Sequence, residues 1–322
     1  MSKNIHKNIF ELVGKTPLVE LTNYNKVNGL KADIIAKIEY FNPIGSVKDR
    51  IVLGMLNDAE KKGLAVPGKT TLVETTSGNT GIATAAIAAA RGYKSIIYIQ
   101  DNVSNERKQL IKAFGAKLIN LSEEPVIAKA LEESNGDFVL AIDALRKEVI
   151  EKHPDYFFLD QTSNSANPAS HYTSTGDEIW ADTEGDVDIF IAAVGTGGTL
   201  TGVGNHLKKL KPEIKVIGVQ AREDQEGITG VHPFHGVDPA RIPRVLDRKV
   251  YDEAITVDEN DAFAKARELA KTDGIFVGVS SGAILWAATE VAKRPENAGK
   301  KIVVVLPDTG LRYLSSGIFD EK

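Results

Sequence analysis

The sequence predicts an α/β protein with two doubly wound parallel-sheet domains. Short β-branched runs alternate with longer amphipathic segments along almost the whole chain, and this alternation is typical of successive β-α-β units. The chain has 322 residues, a length that fits two domains or one large α/β unit. A polar, turn-rich interruption near the middle of the chain favours two domains.

The predicted elements follow one another in β-α-β order. The first strand is the run at residues 32–39, and further strands are predicted at residues 71–74, 95–100, 117–121, 187–194, 215–220 and 301–306. Helical patterns lie between the strands, at residues 80–91, 105–114, 200–209, 262–271 and 283–293. The helix at residues 82–90 is mostly alanine, so it can approach a neighbouring sheet closely.

Two breaks define the predicted domains. The first is Asn42-Pro43, and the second is the polar stretch at residues 160–168. We therefore expect a smaller domain at residues 43–160 and a larger domain formed by residues 1–42 and 161–322. A long irregular stretch at residues 221–243 is of the kind that is usually functional or mobile.

Composition excludes several classes of protein. With 42% hydrophobic and 26% charged residues, the chain resembles ordinary globular proteins. Its formal net charge of -5 argues against nucleic acid as the main partner. The absence of cysteine excludes disulfides and thiolate metal sites. No secretion signal or membrane-spanning run is seen, so we expect a cytoplasmic protein.

Lys48 is the most informative single residue. Ser46 is the predicted N-cap of a helix that follows the break at Asn42-Pro43, so Lys48 falls in the first helical turn. The positive end of the helix dipole and desolvation both disfavour an ammonium there. A partly neutral lysine is what Schiff-base chemistry requires. Taken alone, a solvated surface lysine explains the residue as well.

The segment at residues 74–81 (Glu-Thr-Thr-Ser-Gly-Asn-Thr-Gly) lies between a strand and the alanine-rich helix. Hydroxyls and free amides at a helix N-terminus bind anions, and this position suits a substrate carboxylate. A well-capped helix after a tight turn would also explain Ser77 or Gly78. It does not readily explain six consecutive small or polar residues.

The segment at residues 195–202 (Gly-Thr-Gly-Gly-Thr-Leu-Thr-Gly) directly follows an apolar strand. Glycines let the backbone wrap a phosphate, and the next helix contributes its dipole. Leu200 occupies the third glycine position of the dinucleotide fingerprint, so that fingerprint does not fit. The segment therefore predicts a phosphate site of another kind.

Three other patterns are weaker. Residues 278–283 again join a strand-like run to a helix, and a serine there serves equally well as an N-cap. Residues 63–70 match the P-loop letter for letter, but a helix precedes them and a strand follows, which is the inverse of a working P-loop. His232 and His235 have no third ligand nearby, so we expect exposed loop histidines and no metal.

Taken together, these motifs resemble the cysteine synthase (O-acetylserine sulfhydrylase) family of fold-type II pyridoxal-phosphate enzymes. The resemblance extends from residues 14–19 (Gly-Lys-Thr-Pro-Leu-Val) to residues 306–315 (Leu-Pro-Asp-Thr-Gly-Leu-Arg-Tyr-Leu-Ser). It implies a tryptophan synthase β-like fold, a mobile smaller domain and a larger domain that holds the phosphate of pyridoxal 5'-phosphate.

The resemblance also implies a role for each matched residue. Lys48 would form the internal aldimine and shuttle the α-proton, Asn79 would bond the ring oxygen of the cofactor, and Ser280 would face its pyridine nitrogen. The phosphate would be held by Gly195, Thr196, Gly197, Gly198 and Thr199. The substrate carboxylate would be held by Thr76, Ser77, Gly78, Asn79, Thr80 and Gln161.

A serine opposite the pyridine nitrogen does not enforce protonation of the ring, which is then a weak electron sink. A weak sink favours loss of a β-leaving group, so the expected reaction is β-replacement. O-acetyl-L-serine would give an aminoacrylate, and sulfide would add to form L-cysteine. The alternatives are a cystathionine β-synthase-like reaction and cysteine desulfhydration to serine and H2S. The resemblance further implies a homodimer and a possible serine acetyltransferase partner, whose C-terminal carboxylate would bind at residues 76–80.

The chain departs from the family pattern in two places. Thr162 stands where the family commonly has phenylalanine, and the usual glycine-rich substrate loop is replaced at residues 236–243 (Gly-Val-Asp-Pro-Ala-Arg-Ile-Pro). Asp238 could therefore place a general base near the substrate, or could cap a turn before Pro239. Residues 242–248 also resemble cystathionine β-synthases.

Overall fold

A computed structural model describes residues 5–76, 78–134, 138–225 and 227–320. The chain divides into two compact units: Met1–Glu11 with Val52–Asn164, and Leu12–Ile51 with Ser165–Lys322. The chain passes between the units at three points: after Glu11, inside helix α2 (Lys48–Lys61) and within the polar stretch at residues 160–168. Met1–Glu11 therefore groups with the smaller unit, and the next boundary lies beyond Asn42-Pro43.

The smaller unit is built on a four-stranded parallel sheet with strand order β5-β4-β3-β6. One hydrophobic cluster of this unit lies between the sheet and helices α5 and α6, where Val73, Tyr98, Ile127 and Leu145 pack together. The strands are β3 (Thr71–Thr76), β4 (Lys94–Ile99), β5 (Lys117–Asn120) and β6 (Tyr156–Phe158). The helices are α3 (Asn79–Arg91), α4 (Asn105–Ala113), α5 (Pro125–Glu133) and α6 (Phe138–Lys152).

The larger unit contains a six-stranded sheet with strand order β1-β2-β10-β7-β8-β9, in which only the edge strand β1 is antiparallel. The strands are β1 (Leu18–Glu20), β2 (Asp33–Ile38), β7 (Ile189–Ala193), β8 (Lys215–Ala221), β9 (Glu253–Val257) and β10 (Lys301–Leu306). The helices are α1 (Thr22–Val27), α7 (Ala166–Thr173), α8 (Thr175–Asp182), α9 (Gly198–Leu210), α10 (Glu259–Asp273) and α11 (Val279–Ala292).

Helix α11 is buried on nearly every side because its residues are almost all small or apolar. A Cβ at Gly282 would overlap the carbonyl oxygen of Ala262 on α10, so only glycine lets these helices meet at that point. Close packing of α11 against α10, β7 and β10 fixes where α11 begins, and Ser280 lies in that first turn.

The predicted parallel α/β class is confirmed, and each of the seven predicted strands is present within two residues of its predicted bounds. The prediction that residues 163–168 are turn-rich is wrong for the last three residues, because helix α7 begins at Ala166. Proline is tolerated in the first turn of a helix, where Pro168 lies. Residues 63–70 connect α2 to β3, which is the inverted context that disfavours a P-loop. Among the described residues, no helix is both long and apolar enough to cross a membrane.

Candidate active site

Lys48 is the first residue of α2, and its side chain is half-buried. Ser46 precedes it and caps the helix start, because the Ser46 Oγ accepts a hydrogen bond of 3.2 Å from the Lys48 amide. The Ser46 carbonyl oxygen accepts a second bond of 3.2 Å from the Asp49 amide. The structure therefore places Lys48 at the positive end of the helix dipole, as expected from the sequence.

A buried ion network holds this helix start. Arg50 Nε and Nη2 donate to the two carboxylate oxygens of Glu39 at 2.7 and 2.9 Å, and Arg50 Nη1 and Nη2 donate to Glu178 at 2.7 Å each. Lys37 lies 2.9 Å from Glu178. Burial disfavours the charged form of each group. The carboxylates of Glu39 and Glu178 nevertheless raise the pKa of Arg50. Arg50 and Lys37 likewise lower the pKa of Glu178 to about 2.

Asp49 ties the preceding turn to the same helix. Its Oδ2 accepts a hydrogen bond of 2.7 Å from the Ile44 amide, and Arg312 donates to the Ile44 carbonyl. Burial raises the pKa of Asp49 to about 7, although the Ile44 hydrogen bond and the Arg312 charge act in the opposite direction. Sequence patterns gave no signal for this buried carboxyl beside Lys48.

The phosphate loop, defined as residues 195–199, runs from the end of β7 into α9. Gly197 has a φ of +86° and a Cβ there would lie 2.7 Å from the Cβ of Leu246, while a Cβ at Gly198 would overlap the Asn167 amide. The loop is therefore closed to side chains at both glycines. Asn167 Nδ2 donates to Thr196 Oγ1 at 3.0 Å, and the α9 N-terminus follows directly, which is the arrangement that binds phosphate groups.

His171 supports the far end of the phosphate loop. Its Nε2 lies 3.2 Å from Thr199 Oγ1, and its Nδ1 lies 2.9 Å from Thr175 Oγ1. Burial, followed by the charges of Arg50 and Lys48, holds the pKa of His171 well below its usual value. A neutral imidazole donates one hydrogen bond and accepts one, so it orients the Thr199 hydroxyl. Sequence reasoning missed this residue, which only the fold brings to the loop.

His232 is exposed, as expected from its loop position. The His232 amide donates to the Val194 carbonyl at 2.7 Å, which pins the residue beside the start of the phosphate loop. Desolvation by the protein atoms around the ring, followed by the Lys48 charge, lowers the pKa of His232. No cluster of possible metal ligands occurs among the described residues.

Ser280 lies in the first turn of α11 and is 8% exposed. The preceding Gly278 donates its amide to the Asp308 carbonyl at 3.1 Å, and the Tyr313 hydroxyl donates to the Asp308 carboxylate at 2.7 Å. These bonds connect the α11 start to the segment after β10. Ser280 therefore has a fixed position at the positive end of a helix.

The carboxylate loop, defined as residues 76–80, follows β3 in the smaller unit; Ser77 lies outside the described residues. Thr76 Oγ1 accepts a bond of 3.0 Å from the Gly78 amide, and Gly78 has a φ of +140°, which glycine alone adopts readily. Asn79 begins α3, and Thr80 Oγ1 donates to Gln161 Oε1 at 2.6 Å. The structure thus brings the described loop residues and Gln161 together in one unit.

Asp238 is exposed and caps the short 3-10 helix Pro239–Arg241, where its Oδ1 accepts a bond of 2.9 Å from the Ala240 amide. This is the turn-capping geometry that was one of the two interpretations. Thr162 is also exposed, and its hydroxyl donates to Asp160 at 3.0 Å.

The chain is similar to known proteins over nearly its whole length. The chain is 42% identical over 314 residues to cysteine synthase 3 of Caenorhabditis elegans, covering 97% of this chain and 89% of that protein. It is 41% identical over 319 residues to cystathionine beta-synthase of Apis mellifera, covering 97% of this chain but only 61% of that protein. The crystal structure of cysteine synthase from Entamoeba histolytica superposes with a TM-score of 0.85 at 39% identity, over 100% of this chain and 93% of that one.

The phosphate loop, the α9 N-terminus and the half-buried lysine at a helix start fit a cofactor that carries a phosphate and an aldehyde. The family model described as pyridoxal-phosphate dependent enzyme matches residues 9–308. The family, the fold type and the cofactor predicted from the motifs are thereby confirmed, and the chain belongs to the family of pyridoxal-phosphate-dependent enzymes.

Proposed function

We propose that the protein catalyses β-replacement, in which O-acetyl-L-serine and sulfide give L-cysteine and acetate. The observation that carries this proposal is Lys48, placed at a helix start by the Arg50 network in a chain that matches cysteine synthases along nearly its whole length. Pyridoxal phosphate supplies the electron withdrawal that labilises the α-proton and the β-leaving group. The remaining work falls to the side chains.

Lys48 is proposed to hold the cofactor covalently and then to move the α-proton. Its Nζ would be bonded to the aldehyde carbon of the cofactor, and as a free amine it would accept the α-proton of a bound amino acid. The ion network behind it keeps the helix start in place while the side chain moves. Holding the reacting groups in the right geometry lowers the activation free energy of a well-oriented reaction by up to about 7–11 kcal/mol.

The phosphate loop is proposed to anchor the cofactor through its backbone amides, the α9 dipole and the hydroxyls of Thr196 and Thr199. Ser280 is proposed to face the pyridine nitrogen. Because it is neutral and lies at the positive end of α11, it disfavours a protonated ring. The ring is then a weaker electron sink, which favours β-elimination and replacement over reactions that need a stabilised carbanion.

The carboxylate loop and Gln161 are proposed to hold the substrate α-carboxylate, and Asn79 to bond the ring oxygen of the cofactor. The amides at the α3 start and the hydroxyls of Thr76 and Thr80 are donors of the type that binds carboxylates. Thr80 already donates to Gln161 Oε1, so its hydroxyl must turn away from Gln161 to donate to a carboxylate. The smaller unit is proposed to be mobile on substrate binding.

Steady-state kinetics with matched substrates tests the proposed reaction. O-acetyl-L-serine, O-phospho-L-serine and L-serine are each supplied with sulfide, and kcat/KM for cysteine formation is compared. We expect the highest value with O-acetyl-L-serine, because acetate is a better leaving group than hydroxide. Equal or higher cysteine formation from L-serine would contradict the proposal.

A cystathionine β-synthase-like reaction, or release of H2S from cysteine, is the second candidate. It is favoured by residues 242–248 (Ile-Pro-Arg-Val-Leu-Asp-Arg) and by the 41% identity to the honeybee enzyme. L-serine with L-homocysteine, and L-cysteine alone, are the two assays that separate it from cysteine synthesis. If the protein makes cysteine from O-acetyl-L-serine, the rates in both of these assays should be well below the rate with O-acetyl-L-serine and sulfide.

The protein is also proposed to form a homodimer. Ile5, Ile9 and Leu12 are exposed apolar residues near the N-terminus, and they support a homodimer. A monomer in light scattering at micromolar concentration would contradict the homodimer.

A serine acetyltransferase is proposed to bind the protein through its C-terminal carboxylate. A peptide of that C-terminal tail that fails to compete with substrate would contradict this partner. A cytoplasmic location is proposed and is tested by cell fractionation.

A further inference from the structure

Arg107 is a buried cation directly against the carboxylate loop. It lies on α4, is 4% exposed, and its Nε donates to Ser104 Oγ at 2.9 Å. A Cβ added to Gly78 would lie 2.6 Å from Arg107 Cδ and 3.1 Å from Nη1. The side chain is therefore packed on the backbone of Gly78, the residue that caps α3, and leaves no room for a Cβ at that position.

The charge of Arg107 matters because a carboxylate side chain is already buried in β3, two residues before the loop. Glu74, 1% exposed, accepts the Thr75 amide at 2.9 Å and the Gln161 amide at 3.3 Å. An α-carboxylate bound at the loop would be repelled by an ionised Glu74, since like charges in a poorly solvated site interact strongly. The Arg107 guanidinium, which packs against Gly78, would offset this repulsion and attract the ligand.

We propose that Arg107 is a positioning residue that shapes the carboxylate loop and makes it selective for ligands with a free α-carboxylate. This inference rests on the proposed function, in which the loop holds that group. Arg107 acts through Gly78 and through its charge. Its removal should therefore weaken binding of carboxylate ligands much more than binding of neutral analogues of the same shape.

The test compares L-alanine with L-alaninamide, which differ in the charge of one group and carry no leaving group. Their dissociation constants are measured by calorimetric titration of the holoenzyme for wild type, Arg107→Gln and Arg107→Lys. We expect the preference for L-alanine to fall about tenfold or more in Arg107→Gln, as for loss of a charge-assisted contact, and to be partly restored in Arg107→Lys. Thermal unfolding shows whether each variant is folded.

Arg91→Gln is the matched control, because Arg91 lies on the same unit at the last position of α3, about 18 Å from its first residue. It should leave the preference unchanged. Equal weakening of both ligands in Arg107→Gln, or an unchanged preference, would overturn the inference and indicate packing alone. If Arg107→Gln does not fold, Arg107→Met is compared with Arg107→Lys. An unchanged preference for L-alanine over L-alaninamide in both variants would then overturn the inference. Wild-type protein that binds neither ligand would contradict the proposed function and the inference with it.

Discussion

Arg50, two residues after Lys48, forms a two-pronged ion pair with Glu39 at 2.7 and 2.9 Å, and both side chains are buried. Breaking a buried pair leaves one charge uncompensated, which costs about 3–5 kcal/mol. The pair therefore fixes the start of α2, where Lys48 lies.

Arg50→Met should lower the free energy of unfolding by about 3–5 kcal/mol, and Arg50→Lys should recover only part of it because an ammonium cannot make the two-pronged contact. Arg294→Met is the control, since the Arg294–Glu253 pair is partly exposed and should contribute about 1 kcal/mol or less. Urea unfolding measures all three. Equal losses for Arg50→Met and Arg294→Met would contradict the role of the network.

Asp49 should make stability fall as pH rises. Burial raises its folded-state pKa to about 7 from an ordinary value near 3.8, so between these values the folded state binds the proton that the unfolded state has lost. Stability from this group is full below the unfolded pKa and is lost up to about pH 7, by roughly 1.4 kcal/mol per unit. Glu39, Arg312 and Ser46 also act on this pKa.

Asp49→Asn isolates that effect, because an amide keeps an oxygen for the Ile44 amide but does not titrate. The difference in unfolding free energy, wild type minus variant, should shift in favour of the variant between pH 5 and pH 8. Subtraction cancels the opposite contribution of Glu178, whose pKa is lowered to about 2. A difference that is constant with pH would show that Asp49 does not titrate in this range.

Much of the fold could be predicted from local sequence, and the reason is physical. Long β-branched runs such as Lys301–Leu306 and Lys215–Ala221 are buried central strands, whose composition alone marks them. β1 and β6 have three residues each and exist through pairing with a neighbouring strand. No local periodicity predicts such strands.

The same distinction applies to the site. Lys48 and the phosphate loop are strand-loop-helix motifs that can be recognised within eight residues. The contacts Arg50–Glu178, His171–Thr199 and Arg107–Gly78 join distant or non-periodic positions, and only the packed structure shows them. Asp238 could be interpreted as a general base or as a turn cap, because the sequence alone does not show whether its carboxylate accepts a hydrogen bond from a backbone amide.

Ser280 provides a test of the ring electronics. Ser280→Ala removes a neutral hydrogen bond, worth about 1 kcal/mol, so kcat should fall by less than about tenfold. Ser280→Asp places a stable anion at the α11 N-terminus, which should protonate the ring and slow β-replacement by a further tenfold or so. Pre-steady-state and steady-state rates with O-acetyl-L-serine measure both. Alanine as damaging as aspartate would contradict the assignment.

Asp238→Asn should leave activity within about twofold, because asparagine caps turns as aspartate does, whereas Asp238→Ala loses the cap and should raise KM. The exposed carboxylate already accepts the Ala240 amide. Sulfide release from L-cysteine is the sensitive assay. A loss of about 100-fold or more in Asp238→Asn, the size expected for a general base, would show that Asp238 takes part in the chemistry.

The central claim is that Lys48 carries the cofactor, and borohydride reduction of the purified protein followed by peptide mapping tests it most directly. We predict that the reduced cofactor is found on the peptide that contains Lys48, and that Lys48→Ala folds, binds pyridoxal phosphate without a covalent bond and loses turnover. Labelling of any other lysine, or covalent labelling that persists in Lys48→Ala, would contradict the account.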